Sequence, residues 1–232
     1  MRLIYILVFA LSLLLTGAAI QQWGAAELRS HFGEVALLTL IGGVWLIIAT
    51  KVFSWFGLIL RDDVAERKNT AVLIALCGAL VSVALTYIGG NLGEAPSFWN
   101  NFYSAGLATT GLFALWLVLE IAAKVSISIA EERDMASGVR LCGWFLAVGL
   151  VLGRAVAGDW HSTDATLHDF VSDGWPAGVL CGLAMPIEWR LRPSCQRPFP
   201  SWLRAGLLPA VIYLLLAAGW LWYMGRWVGM RR

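Results

Sequence analysis

The residues with chemistry to offer are the ionisable side chains inside long apolar runs, because a charge at the centre of a bilayer costs about 2.5–3.5 kcal/mol on insertion scales. Three such residues stand out: Lys51, Glu120 and Arg154. Lys51 reads as the deepest, about nine residues or roughly 14 Å before the end of its run at the helical rise. It either snorkels along its own stem toward water or pairs with Glu120, which lies about a turn nearer the same surface. Glu120 also has Lys124 four residues on, a spacing that forms a local ion pair on a helix. Arg154 stands near the far end of its run, where it faces headgroups or, turned inward, holds an anionic solute. The polar stretch from Asp159 to Asp173 adds His161, Asp164, His168 and Asp169. If Ser162 or Thr163 caps a short helix, Asp164 and His168 share a face. Imidazoles and carboxylates are metal ligands, and a metal with an open position activates water. There is no HExxH pair, no Gly-rich phosphate loop and no nucleophile elbow. The sequence therefore assigns no catalytic residue and no cofactor, and His161, Asp164 and His168 are its weak metal-ligand candidates.

The elements that position these residues follow from composition. Of the 232 residues, 59% are hydrophobic and only 14% charged, with 13 tryptophans and a mean hydropathy of +0.72. Soluble domains carry about 25% charged residues. The fold class expected is all-α, a polytopic transmembrane bundle of about seven spans forming a single membrane domain. The apolar windows are Leu3 to about Gln21, Val35 to Leu60, Thr70 to Ile88, Phe102 to Ile127, Ser137 to Ala157, Phe170 to Glu188 and Ala205 to Gly225, each near the 20 residues a span requires. The sixth is the weakest, with Asp173, Gly174 and Pro176 at its start, where a proline in the first turn loses no backbone donor. The first window has the charge and small residues of a secretory signal but a longer apolar stretch, so an uncleaved anchor is expected.

Orientation comes from lysine and arginine in short loops, which resist translocation. With the N-terminus in the cytoplasm, the inner side collects Arg2, Arg61, Arg67, Lys68, Lys124, Arg133, Arg140, Arg190, Arg192, Arg197 and Arg204, and the outer side Arg29, Arg154, Arg226, Arg231 and Arg232. The excess places the N-terminus inside. Trp23, Trp99, Trp160, Trp175 and Trp227 fall at the outer boundary and Trp55, Trp189 and Trp202 at the inner one, as interfacial indoles do. Cys77, Cys142 and Cys181 lie in apolar runs as packing residues, with Cys195 in an Arg-rich connection and no disulfide framework implied.

An internal duplication gives the plan. Residues 65–85 read AERKNTAVLIALCGALVSVAL and residues 130–150 read AEERDMASGVRLCGWFLAVGL, with Ala65/Ala130, Glu66/Glu131, Leu76/Leu141, Cys77/Cys142 and Gly78/Gly143 among the coincidences. Each unit reads as a hairpin whose charged turn leads into a returning helix. Two like-oriented hairpins imply a pseudo-two-fold axis along the membrane normal. The tandem repeats occupy 35–94 and 95–160, preceded by an anchor span and loop over 1–34 and followed by two further spans over 161–232. Asn69 and Asp134 open the returning helices as N-caps. Ala71, Ala75, Gly78, Gly143, Gly149 and Gly153 supply the small surfaces by which helices approach in lipid.

The segments RKNTAVLIALCGALVSVAL and MASGVRLCGWFLAVGLVLGRAVAGDW resemble the two halves of the YjfL-like bacterial inner-membrane proteins, a duplicated family catalogued as a domain of unknown function. Its members open a glycine-containing span in each half with an Asn-x-Ala-Ala pattern. The resemblance covers about residues 35–160 and departs at Asp134, where Asn would stand. It implies a bacterial inner-membrane location and names no reaction.

Three functions compete. A non-enzymatic module that packs against a partner membrane protein, or against itself as a homo-oligomer, with lipid as its surroundings and no nucleic acid, rests on the small-residue seams. A channel or carrier for an ion or small solute rests on Lys51, Glu120 and Arg154. A metal-dependent enzyme on the outer face rests on the histidine-bearing loop.

Overall fold

A computed structural model describes residues 1–194 and 200–225. Cys195, Arg197, Arg226, Trp227, Arg231 and Arg232, used above for orientation and interface, lie outside the described residues. The described chain forms nine α-helices: α1 Arg2–Trp23, α2 Ala26–Ser30, α3 Phe32–Phe53, α4 Thr70–Gly90, α5 Phe98–Ala123, α6 Val125–Ala130, α7 Met135–Ala155, α8 Thr163–Leu191 and α9 Leu208–Met224. With the turns that extend them, seven are long and apolar enough to cross a membrane. The fold is an all-α bundle of candidate spans, and the chain is a multi-pass membrane protein.

Four spans differ in their bounds from the sequence windows. The second span runs to Phe56, its α-helix stopping at Phe53: a 3-10 turn over Ser54–Phe56 runs into Gly57 at φ 79°, a left-handed conformation that glycine adopts without a Cβ penalty. A wide π-type turn, Leu60–Glu66, follows. The fourth span begins at Phe98 and ends at Ala123, because Lys124 turns left-handed at φ 49° and starts the short α6 afresh. The sixth span begins at Thr163, capped by the Ser162 hydroxyl. Pro176 is thus well inside α8, with Pro186 further on, and the first-turn excuse for it does not apply. The seventh span is approached through a second π-type turn, Trp202–Leu207, with Pro209 in the opening positions of α9.

The core is the pair α4 and α7, the two most enclosed spans, each 21 residues long. They run side by side in the same direction, as Ala71 meets Gly138, Ser82 meets Gly149 and Leu85 meets Gly153 in ascending order. The contact is backbone-close. A Cβ on Gly149 would stand 2.8 Å from Ser82 Cα, on Gly78 2.7 Å from Cys142 Cα, and on Gly153 2.6 Å from the Leu85 carbonyl oxygen. Such separations leave no room for a larger side chain, so small residues here are a steric requirement. Ala71 and Ala75 are buried beside them, whereas Gly143 turns away to seat Ala210 of α9.

The remaining spans wrap this pair. Interhelical hydrogen bonds fix several: Tyr5 Oη with Thr50 Oγ1 at 2.8 Å, Tyr87 Oη to the Leu38 carbonyl at 2.7 Å, and Trp45 Nε1 to Thr109 Oγ1 at 3.1 Å. An aromatic cluster fills the space between α3, α5 and α7, with Phe56 stacked on Trp116 at 4.0 Å and Trp116 edge-on to Phe145 at 4.8 Å. Trp116 and Trp144 are fully buried, unlike the exposed Trp23, Trp55, Trp99, Trp175, Trp189 and Trp202.

Candidate functional site

Both core helices open in the same way. Lys68 and Arg133 each take a left-handed backbone, φ 51° and 55°, and the next residue caps the helix. Asn69 Oδ1 accepts from the N–H groups of Ala71 and Val72, and the Asp134 carboxylate from those of Ala136 and Ser137. These bonds satisfy donors that a helix start otherwise leaves orphaned. The two caps differ in their remaining capacity. Asn69 Nδ2 donates to the carbonyls of Ile129 at 2.8 Å and Ala130 at 3.2 Å, tying the start of α4 to the turn before α7. A carboxylate cannot donate. Asp134 instead accepts the Ser137 hydroxyl at 2.6 Å.

From Ser137 the polar network continues to a buried charge pair. Arg140 is fully enclosed, about 8 Å along α7 from its start at 1.5 Å per residue. Its Nε and Nη2 donate to the two carboxylate oxygens of Glu188 on α8 at 2.7 and 2.6 Å. Nη2 also donates to Ser137 Oγ at 2.8 Å, and Nη1 to the carbonyl of Ala205 in the turn before α9. Four of the five guanidinium N–H groups are thereby used, in the forked geometry that suits arginine and a carboxylate. One side chain gathers α7, α8 and the approach to α9. Arg140 and Glu188 drew only topological weight from the sequence, one as an inner-side charge and one as a span end. Their isolation in apolar surroundings was the available signal.

The charges singled out from the sequence do not assemble. Lys51 is exposed in the last turn of α3, not nine residues inside a span, because the α-helix ends two residues later at Phe53. Glu120 belongs to its own turn: its carboxylate accepts the backbone N–H of Ser126 at 3.0 Å and the Ser126 hydroxyl. It forms an ion pair with neither Lys51 nor Lys124, both of them exposed. Arg154 is buried in the last turn of α7, so it is not a headgroup-facing residue. The polar loop after Asp159 is mostly the first turns of α8. Asp164 and His168 stand one helical turn apart on it, exposed, and His161 precedes it. No group of three His, Cys, Asp or Glu side chains arranged to hold a metal occurs among the described residues.

On the far face three loops interlock. The Gly158 N–H donates to the Leu92 carbonyl at 3.0 Å and the Trp160 N–H to that of Glu94 at 2.8 Å. The Glu94 N–H meets Asp159 Oδ1, and the Ala26 N–H meets Glu94 Oε1, both at 2.8 Å. Gly24 and Gly93 pair as an isolated extended bridge.

Residues 27–156, more than half of the chain, match a family described as Domain of Unknown Function (DUF350). The chain belongs to this family. No curated protein and no solved structure matches it. The DUF350 region runs from α2 through α7 and contains both capped core helices and the charged turns ahead of them. Arg140 is inside it, while Glu188 and Ala205 are not. The buried ion pair thus joins the DUF350 region to the two helices that follow it, beside the Trp189 Nε1 bond to the Ala122 carbonyl at 2.9 Å and the seat of Ala210 on Gly143.

Proposed function

We propose that this chain is a non-enzymatic bacterial inner-membrane module that works by packing, against copies of itself or a partner membrane protein. The observation that carries this reading is the Arg140 network, in which the most enclosed cation of the bundle gives four of its five N–H groups to the protein itself. A charge so engaged holds helices together. It has little left with which to bind a passing solute, and Lys51 and Glu120 form no intramembrane pair that would line a path.

The closer kinship within the family is with the YjfL-like proteins, by the segments quoted above. The DUF350 region is proposed to be a duplication. Equal helix lengths, left-handed residues at Lys68 and Arg133, caps at Asn69 and Asp134 and positive φ at Gly93 and Gly158 all recur at one constant sequence offset. The N-terminus is assigned to the cytoplasm on the lysine and arginine balance.

The deciding experiment is purification in mild detergent followed by native mass spectrometry and solute-flux assays in reconstituted vesicles. A stable assembly, of one chain or with a co-purifying membrane protein, is expected. No flux above that of protein-free vesicles is expected. A solute flux abolished by Lys51→Met or Glu120→Gln would replace packing with transport.

A further inference from the structure

Between α1 and α4 lies a groove of about 1100 Å³, just above the range typical of small-molecule sites. Its walls are apolar and include Leu15, Ala18, Ala84 and Leu85. It reaches from Trp23 down to Ser12, which along α1 is roughly 16 Å at the helical rise. That depth is about half of the 30 Å hydrocarbon core of a bilayer. A groove one leaflet deep suits a molecule that occupies one leaflet, whereas a helix of a second copy would run the whole thickness.

Only the mouth is charged. Arg29, Glu94 and Asp159 line it. Arg29 makes no ion pair with any described residue. Each carboxylate commits one oxygen to a backbone N–H, Glu94 to Ala26 and Asp159 to Glu94, and those bonds stake both groups at fixed positions. The interlocked loops on this face give the mouth a built framework. A cation and two carboxylates above an apolar slot complement a zwitterion with a phosphate and a hydrogen-bonding ammonium. A choline headgroup has no N–H to give the carboxylates, and a glycerol headgroup has no cation.

We propose that this groove holds one phosphatidylethanolamine molecule, with its phosphate on Arg29, its ammonium between Glu94 and Asp159, and its acyl chains along α1 and α4. Trp23, half-exposed at the rim, is placed at the headgroup level that indole favours.

The test uses the full chain in bilayer discs made of equal parts phosphatidylethanolamine, phosphatidylcholine and phosphatidylglycerol, with native mass spectrometry reading the lipids retained on release. One phosphatidylethanolamine per chain is expected. Arg29→Gln, and separately Glu94→Gln with Asp159→Asn, which keep the side-chain acceptor oxygens, should each lower its retention about tenfold, the loss of a charge-assisted bond. Ala18→Trp, on the open side of α1, should fill the slot and remove the adduct while helicity and elution volume stay unchanged. Equal retention of the three lipids, or an adduct undiminished by Ala18→Trp, overturns the proposal. So would a dimer cross-linked through position 18 and lost in Ala18→Trp, which would give the groove to a second copy.

Discussion

Arg140 and Glu188 meet through two parallel charge-assisted bonds, 2.7 and 2.6 Å long, with both side chains enclosed by helices. A buried pair of this kind has a characteristic energetic signature. Removing one partner strands a charge, at about 3–5 kcal/mol, while replacing both with apolar residues of similar volume is often neutral.

Arg140→Met and Glu188→Leu should therefore each lower the unfolding temperature in detergent sharply, and the double variant should recover most of the loss. Thermal unfolding followed by tryptophan fluorescence checks this. Two single losses that simply add would show that the pair does not act as a unit.

Asn69→Ala removes a cap worth about 1 kcal/mol together with the bonds to the Ile129 and Ala130 carbonyls. Asn69→Ser keeps an oxygen that can cap the helix and loses the amide donation. The Ser variant should fall between wild type and the Ala variant in unfolding temperature. Equality with wild type would mean that the cross-hairpin bonds contribute nothing.

Gly149→Val drives two methyl groups into Ser82 across the α4–α7 contact, and overpacking of this type costs about 1–3 kcal/mol. Gly182→Val and Gly219→Val add their side chains where no atom lies within 4 Å and serve as controls for substituting glycine in a helix. The folded yield by fluorescence-detected size exclusion should drop for Gly149→Val well below both controls.

Cysteines placed at Lys68 and Arg133 should react with a membrane-impermeant thiol reagent from the same side, and one at Trp160 from the other. The parallel course of α4 and α7 requires this. Reaction of the first two from opposite faces is incompatible with the fold.

Much of the architecture can be read directly from the chain. Apolar length marks the seven spans because lipid offers no partner for backbone N–H and C=O groups, and the order of hydropathy alone then locates most helix ends to within a few residues, the end of α3 and the start of α8 excepted. The starts of α4 and α7 are equally legible, since a short polar side chain ahead of an apolar run has a local job as a cap. The ends of α3 and α5 are less so. They depend on left-handed turns at Gly57 and Lys124, and Lys124 is not a residue type that announces such a turn.

What a charge touches was not readable in this way. Lys51, Glu120 and Arg140 look alike as isolated charges in apolar sequence, yet one is exposed, one bonds a serine six residues on, and one is enclosed among three segments. The sequence by itself determined that the polypeptide must cross lipid repeatedly as helices, because hydrogen-bond satisfaction within each span is a local property of the backbone. Only the tertiary structure decided that Arg140 meets Glu188, 48 residues away, and that Gly143 turns from the α4–α7 seam to α9. Helix–helix contact depends on which faces come together in three dimensions, and a nearly uniform apolar surface carries little record of that choice along the chain.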